Sequence, residues 1–124
     1  MDQPSFDSQS LGRRLNELLV LSLLRRAPMH GYQVAVEVEE QSDGFFTFNH
    51  GTLYPILHRL EGEGLIAGEW SDPDGGRARK AYALTEAGRT YRADGLRQWK
   101  TLVGRLSPFF DDGAADDKVS DGAA

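Results

Sequence analysis

Apolar residues crowd the chain between Leu11 and Leu24. Leu11, Leu15, Leu18 and Leu19 form one stripe at helical spacing, and Val20, Leu21, Leu23 and Leu24 widen it. The pattern predicts a helix from Leu11 to Arg26, capped by Ser10 and stopped by Pro28. A helix apolar over so much of its circumference predicts burial on two sides, against its own domain and against a second chain. From His30 to Gln41 the pattern is ambiguous. Val34, Val36 and Val38 alternate with Ala35, Glu37 and Glu39 as in a strand, while Tyr32, Ala35 and Val38 also fit a helix with Gln33, Glu37 and Glu40 outward.

Between Asn49 and Glu63 the period is clear. Leu53, Ile56, Leu57 and Leu60 recur as the inner face of a helix that Gly62 and Gly64 end. Asn49 or Thr52 can cap it. Pro55 lacks an N–H, which favours a start near Thr52 or a loosened first turn opening at His50. Two strand-like runs follow, Leu65 to Trp70 and Arg77 to Leu84, around a turn of proline, aspartates and paired glycines. Thr85 caps a last helix whose Leu96, Trp99, Val103 and Leu106 keep a 3-4 spacing like a coiled-coil seam, with Pro108 as its end. The order helix, helix, helix, hairpin, helix predicts a mainly α fold with a small β-hairpin. It reads as a winged helix-turn-helix plus a C-terminal dimerisation helix.

This organisation divides the 124 residues into four parts. Residues 1–9 are a flexible arm, 10–84 the winged helix-turn-helix, 85–110 the dimerisation helix and 111–124 a disordered acidic tail. The tail changes the meaning of the net charge of −5. It holds five Asp and one Lys, so only −1 belongs to the rest of the chain. That remainder is still not basic, and any nucleic-acid contact must rest on locally clustered cations. There is no cysteine, which excludes disulfides, thiolate nucleophiles and cysteine-ligated zinc. No apolar run approaches the roughly 20 residues that span a bilayer, and Met1 to Ser10 lacks the order of a secretory signal. A cytoplasmic location is therefore expected.

Several segments together resemble the PadR family of bacterial transcriptional regulators. They are His30-Gly31-Tyr32, the run from Gly51 through Tyr54-Pro55 and His58-Arg59-Leu60 to Glu61, and Gly64-Leu65-Ile66. Trp70, Arg77-Ala78-Arg79-Lys80 before Tyr82, and Leu84-Thr85-Glu86-Ala87-Gly88 complete the set. The likeness runs from about Leu15 to Leu106 and is similar to the family's short branch, with one helix after the wing. It implies that His30 to Gln41 is the second helix and that the first and last helices build a dimer. The acidic tail lies outside the family pattern.

Duplex DNA is the partner this combination predicts, read by a homodimer on a pseudo-palindromic operator. Thr52 and Tyr54 offer hydroxyls to phosphates or bases, and His58 and Arg59 share their surface, with Glu63 an alternative partner for Arg59 at i+4. Arg77, Arg79 and Lys80 supply wing charge; six such cations in a dimer predict a log-log salt slope of about −5. The expected dimer interface is Leu11, Leu15, Leu18, Leu96, Trp99, Val103 and Leu106. The resemblance further implies that Trp99, with Leu15 and Val103, lines a flat pore for a planar aromatic effector that relieves repression. The competing reading is a protein-interaction module that uses the winged-helix scaffold and the acidic tail. No metal is expected: His50 and His58 stand about 80° apart and two turns distant on an ideal helix. No cofactor or enzymatic activity is expected either, since nucleophile-elbow, phosphate-loop and zinc-protease motifs are absent.

Overall fold

The computed structural model of the protein describes residues 8–71 and 78–111. Along these residues run α1 (Ser8–Arg26), β1 (Met29–His30), α2 (Gly31–Gln41), α3 (His50–Gly62), β2 (Ile66–Ser71), β3 (Arg79–Leu84) and α4 (Glu86–Phe110). The architecture is a winged helix-turn-helix followed by one long helix. Residues 1–7 of the expected arm, the hairpin turn 72–77 and positions 112–124 of the acidic tail lie outside the described residues.

The ambiguous segment is helical. Val34 and Val38, one turn apart, are buried, and Val36 is only half-buried. Burial against α1 and α3 outweighs the strand preference of a valine-rich run, because β propensity is weak unless a sheet face is there to receive it. A strand that the periodicity missed is β1. Its two residues, too few to show a period, pair antiparallel with β3 through Met29–Tyr82 and His30–Ala81. The hairpin therefore becomes a three-stranded sheet in the order β1-β3-β2.

Helix boundaries also differ from expectation, for identifiable reasons. α1 opens at Ser8, so Ser10 is inside the helix rather than its cap. α3 opens at His50 with Asn49 as its cap; the Asn49 Oδ1 accepts the Thr52 N–H at 2.9 Å. α4 passes through Pro108 to Phe110, and the Asp111 N–H still bonds back to the Ser107 carbonyl. A helical proline clashes with the carbonyl four residues earlier. Pro55 and Pro108 each have glycine there, Gly51 and Gly104, whose backbone adapts more freely than any other.

The core is one cluster under the wing. Val20, Leu21 and Leu24 of α1 meet Val34 of α2, Leu53, Leu57 and Leu60 of α3, and Ile66 and Tyr82 of the sheet. Burying each of the large aliphatic side chains contributes about 1.5–3 kcal/mol. The start of α4 is fixed to the wing. Thr85 accepts the Gly88 N–H at 3.0 Å and donates to the Gly64 carbonyl at 2.7 Å. Gly88 admits no side chain, since a Cβ there falls 2.0 Å from the Leu65 carbonyl oxygen. From there α4 runs back along α1. Leu18, expected between chains, is already 4% exposed and lies against Gly95 of its own α4. Little of it is left for a partner.

Candidate nucleic-acid interface

The solvent face of α3 follows from its inner one. With Leu53, Ile56, Leu57 and Leu60 turned into the core, Thr52, Tyr54 and His58 are left exposed. Tyr54 is held in place from both sides. Its ring stacks on His50 at 5.5 Å and 11°, and it lies so close to α2 that a Cβ on Gly31 would sit 3.2 Å from its hydroxyl. His50 is thus an aromatic neighbour of Tyr54.

Strand alternation sorts the wing residues onto two faces. Trp70 pairs with Lys80 and Gly68 with Tyr82, and this face looks toward α3. Arg79 opens β3 out of that alternation, yet it still lines the space between the wing and α3; it is exposed and without an ion-pair partner among the described residues. Between the α2 start, α3 and the wing lies an open cleft of about 670 Å³. Tyr32, Tyr54, Trp70 and Tyr82 form its aromatic walls, and Arg79 and Lys80 carry its positive charge. Tyr32 and Trp70 are 70% and 66% exposed. The sequence pattern groups Tyr32 with Ala35 and Val38 on the inner side of α2, whereas the structure leaves it exposed. The cleft that Tyr32 and Trp70 share is formed by residues far apart in the chain.

The expected cations are not equally available. Lys80 donates to the Glu61 Oε1 at 2.9 Å, and the other Glu61 oxygen accepts the Gly68 N–H at 3.3 Å. The same ammonium stands over the rings of Trp70 and Tyr82 at 5.6 and 5.4 Å. This hydrogen bond lowers the Glu61 carboxyl below its ordinary range and raises the Lys80 ammonium above its own. Burial pushes the Tyr82 phenol up. Lys80 is therefore a strut between α3 and the wing.

Arg59 likewise turns inward. It pairs with Glu17 of α1, not with Glu63, and is half-buried. Glu17 also accepts the Tyr91 hydroxyl of α4 at 2.7 Å. Its one sequence signal was a lone carboxylate inside the apolar run of α1. Arg77 lies outside the described residues.

Past Gly95, α4 carries a stripe left partly uncovered. Val103, Phe109 and Phe110 are exposed, and Trp99, Leu102 and Leu106 are half-buried. Leu11, Leu15 and Leu96 are also half-buried.

Residues 20–94, more than half of the chain, match the Transcriptional regulator PadR-like family. The chain belongs to that family. A transcriptional regulator of Mycobacterium tuberculosis is 38% identical over 83 residues, covering 67% of this chain and 77% of its own length. The negative transcriptional regulator PadR of Bacillus subtilis is 29% identical over the same share of this chain but only 46% of its own. Among solved structures, a PadR family transcriptional regulator from Eggerthella lenta superposes with a TM-score of 0.70 at 31% identity. That match covers 86% of this chain and 87% of the other. The protein is thus a PadR-like transcriptional regulator. No helix among the described residues is long and apolar enough to cross a membrane.

Proposed function

We propose that this PadR-like regulator is a repressor that binds a specific duplex-DNA operator in the cytoplasm as a homodimer. The observation that carries the reading is the cleft between α3 and the wing. Donors on α3 (Thr52, Tyr54 and His58) stand beside exposed aromatic rings and Arg79, which has no ion-pair partner among the described residues. Hydroxyls and guanidinium reach phosphates, and the α3 face fits the major groove. The Bacillus subtilis relative, by its name a negative regulator, supports repression. The uncovered apolar stripe of α4 supports a second copy as its cover, because Trp99, Val103 and Leu106 continue the seam spacing onto Phe109 and Phe110. The matching Trp99 rings, with Leu15 and Val103 beside them, would then offer stacking faces to a planar aromatic effector.

With Lys80 engaged by Glu61, the wing charge offered to phosphates falls to Arg77 and Arg79 in each protomer. Four cations correspond to a log-log salt slope of about −4. Gel shifts on a genomic fragment pool across a salt series test this. Replacing Arg77 and Arg79 by Ala is expected to weaken binding to all duplexes alike and to flatten the slope. Wild-type affinity and slope in that variant would remove the wing from the interface. Sedimentation at micromolar concentration tests the dimer, and Val103→Asp is expected to shift it toward monomer. Titration of planar phenolic acids against Trp99 fluorescence, with Trp70 replaced by Phe, tests the effector site.

A further inference from the structure

Glu17 is 2% exposed, and both of its oxygens are taken by other helices. One pairs with Arg59 of α3, the other accepts the phenol of Tyr91 from α4 at 2.7 Å. Tyr91 is itself held. Arg14 of α1 stands 5.9 Å over its ring and bonds onward to Gln98 of α4. Burial first, and the bond to Glu17 second, push the Tyr91 phenol above its ordinary range, so it stays a donor. A charge this deep survives only if its partners stay in register. Arg59 belongs to the same helix as Thr52, Tyr54 and His58.

We propose that Glu17, Arg59 and Tyr91 form a joint that sets the position of the α3 reading face from the α1–α4 layer. Arg59 is a positioning residue, and Glu17 is the pivot. The inference rests on α3 being the DNA-reading helix and adds how that helix is aimed. α1 and α4 can transmit a displacement through this carboxylate, because moving either helix must strain or break one of two charge-assisted bonds.

The opposite sign follows if Arg59 is a phosphate donor that Glu17 merely occupies. Freeing it would then tighten DNA binding and steepen the salt slope by about 2 in a dimer. The test compares Glu17→Gln and Tyr91→Phe with wild type on two duplexes, one selected from a randomised pool by the wild-type protein and one scrambled. Tyr91→Phe removes a single hydroxyl and retains the Glu17–Arg59 pair, so it covers the case in which Glu17→Gln does not fold. The joint requires the ratio of selected to scrambled affinity to fall about two- to tenfold, the factor of one net hydrogen bond, at an unchanged salt slope. Mere loss of stability lowers both affinities together and leaves their ratio alone. Tighter binding with a steeper slope in Glu17→Gln, or an unchanged ratio in Tyr91→Phe, overturns the proposal. Amide exchange of α3 without DNA gives an independent reading. Faster exchange at Leu57 to Glu61 in Tyr91→Phe is required, and identical exchange overturns the joint. A wild-type protein without affinity for any duplex would instead sink the DNA reading.

Discussion

Arg59 and Glu61 stand two residues apart on α3, and each ties the helix to a different neighbour. Arg59 keeps 34% of its side chain in solvent but reaches Glu17, which keeps only 3%, whereas Glu61 and Lys80 keep 30% and 26% of theirs. The chemistry is similar and the surroundings are not. Water cannot reach Glu17 to replace a lost partner, so that carboxylate depends on Arg59 and Tyr91. At the wing, solvent screens the attraction and rehydrates either group at once. α3 is thus tied to the α1–α4 layer through a buried carboxylate and to the wing through a partly exposed pair.

The sharpest way to break this comparison is Glu17→Ala. It leaves the Arg59 guanidinium and the part-buried Tyr91 hydroxyl without their acceptor, and a loss of about 1–3 kcal/mol is expected in urea unfolding. A loss below 1 kcal/mol would place the inner pair in the same class as the outer one. Tyr91→Phe removes one buried hydrogen bond and should lower stability by about 1 kcal/mol, a few degrees in the thermal midpoint.

The outer pair should respond least. Glu61→Gln is expected to move the unfolding midpoint less than either change at the inner pair, and high salt should erase the difference from wild type. Its pH dependence has a definite sign. Lys80 lowers the Glu61 carboxyl from its ordinary value of 4.5, so the contribution is complete above that value. It is lost as the pH falls through the depressed one. Acid titration of wild type against Glu61→Gln should therefore show curves that converge below the carboxylate range. Curves that stay parallel there would assign the stabilisation to something other than ionised Glu61.

Most of the fold was legible because its large elements carry strong periods. Leu53, Ile56, Leu57 and Leu60 mark α3 without help, and the two strand-like runs mark β2 and β3. The exposed face of α3 was legible for the same reason, since Thr52, Tyr54 and His58 are what remains when those four residues turn inward. The errors were local. β1 was too short to show a pattern, and Pro108 was read as a stop although α4 continues past it. Arg59 and Lys80 were read as exposed cations because a helical or strand position fixes direction, not company. Their partners, Glu17 and Glu61, lie 42 and 19 residues away.

Periodicity in this chain determined which side chains face inward and which outward, because secondary structure repeats at fixed intervals along the backbone. That was enough for the element order, the core of α3 and the hydroxyl-bearing face beside a cationic wing. Packing alone decided which charges pair, that Tyr32 and Trp70 wall one cleft, and that a single carboxylate joins three helices. Such meetings depend on distances across the core, and a linear pattern holds no information about a neighbour from another turn of the chain.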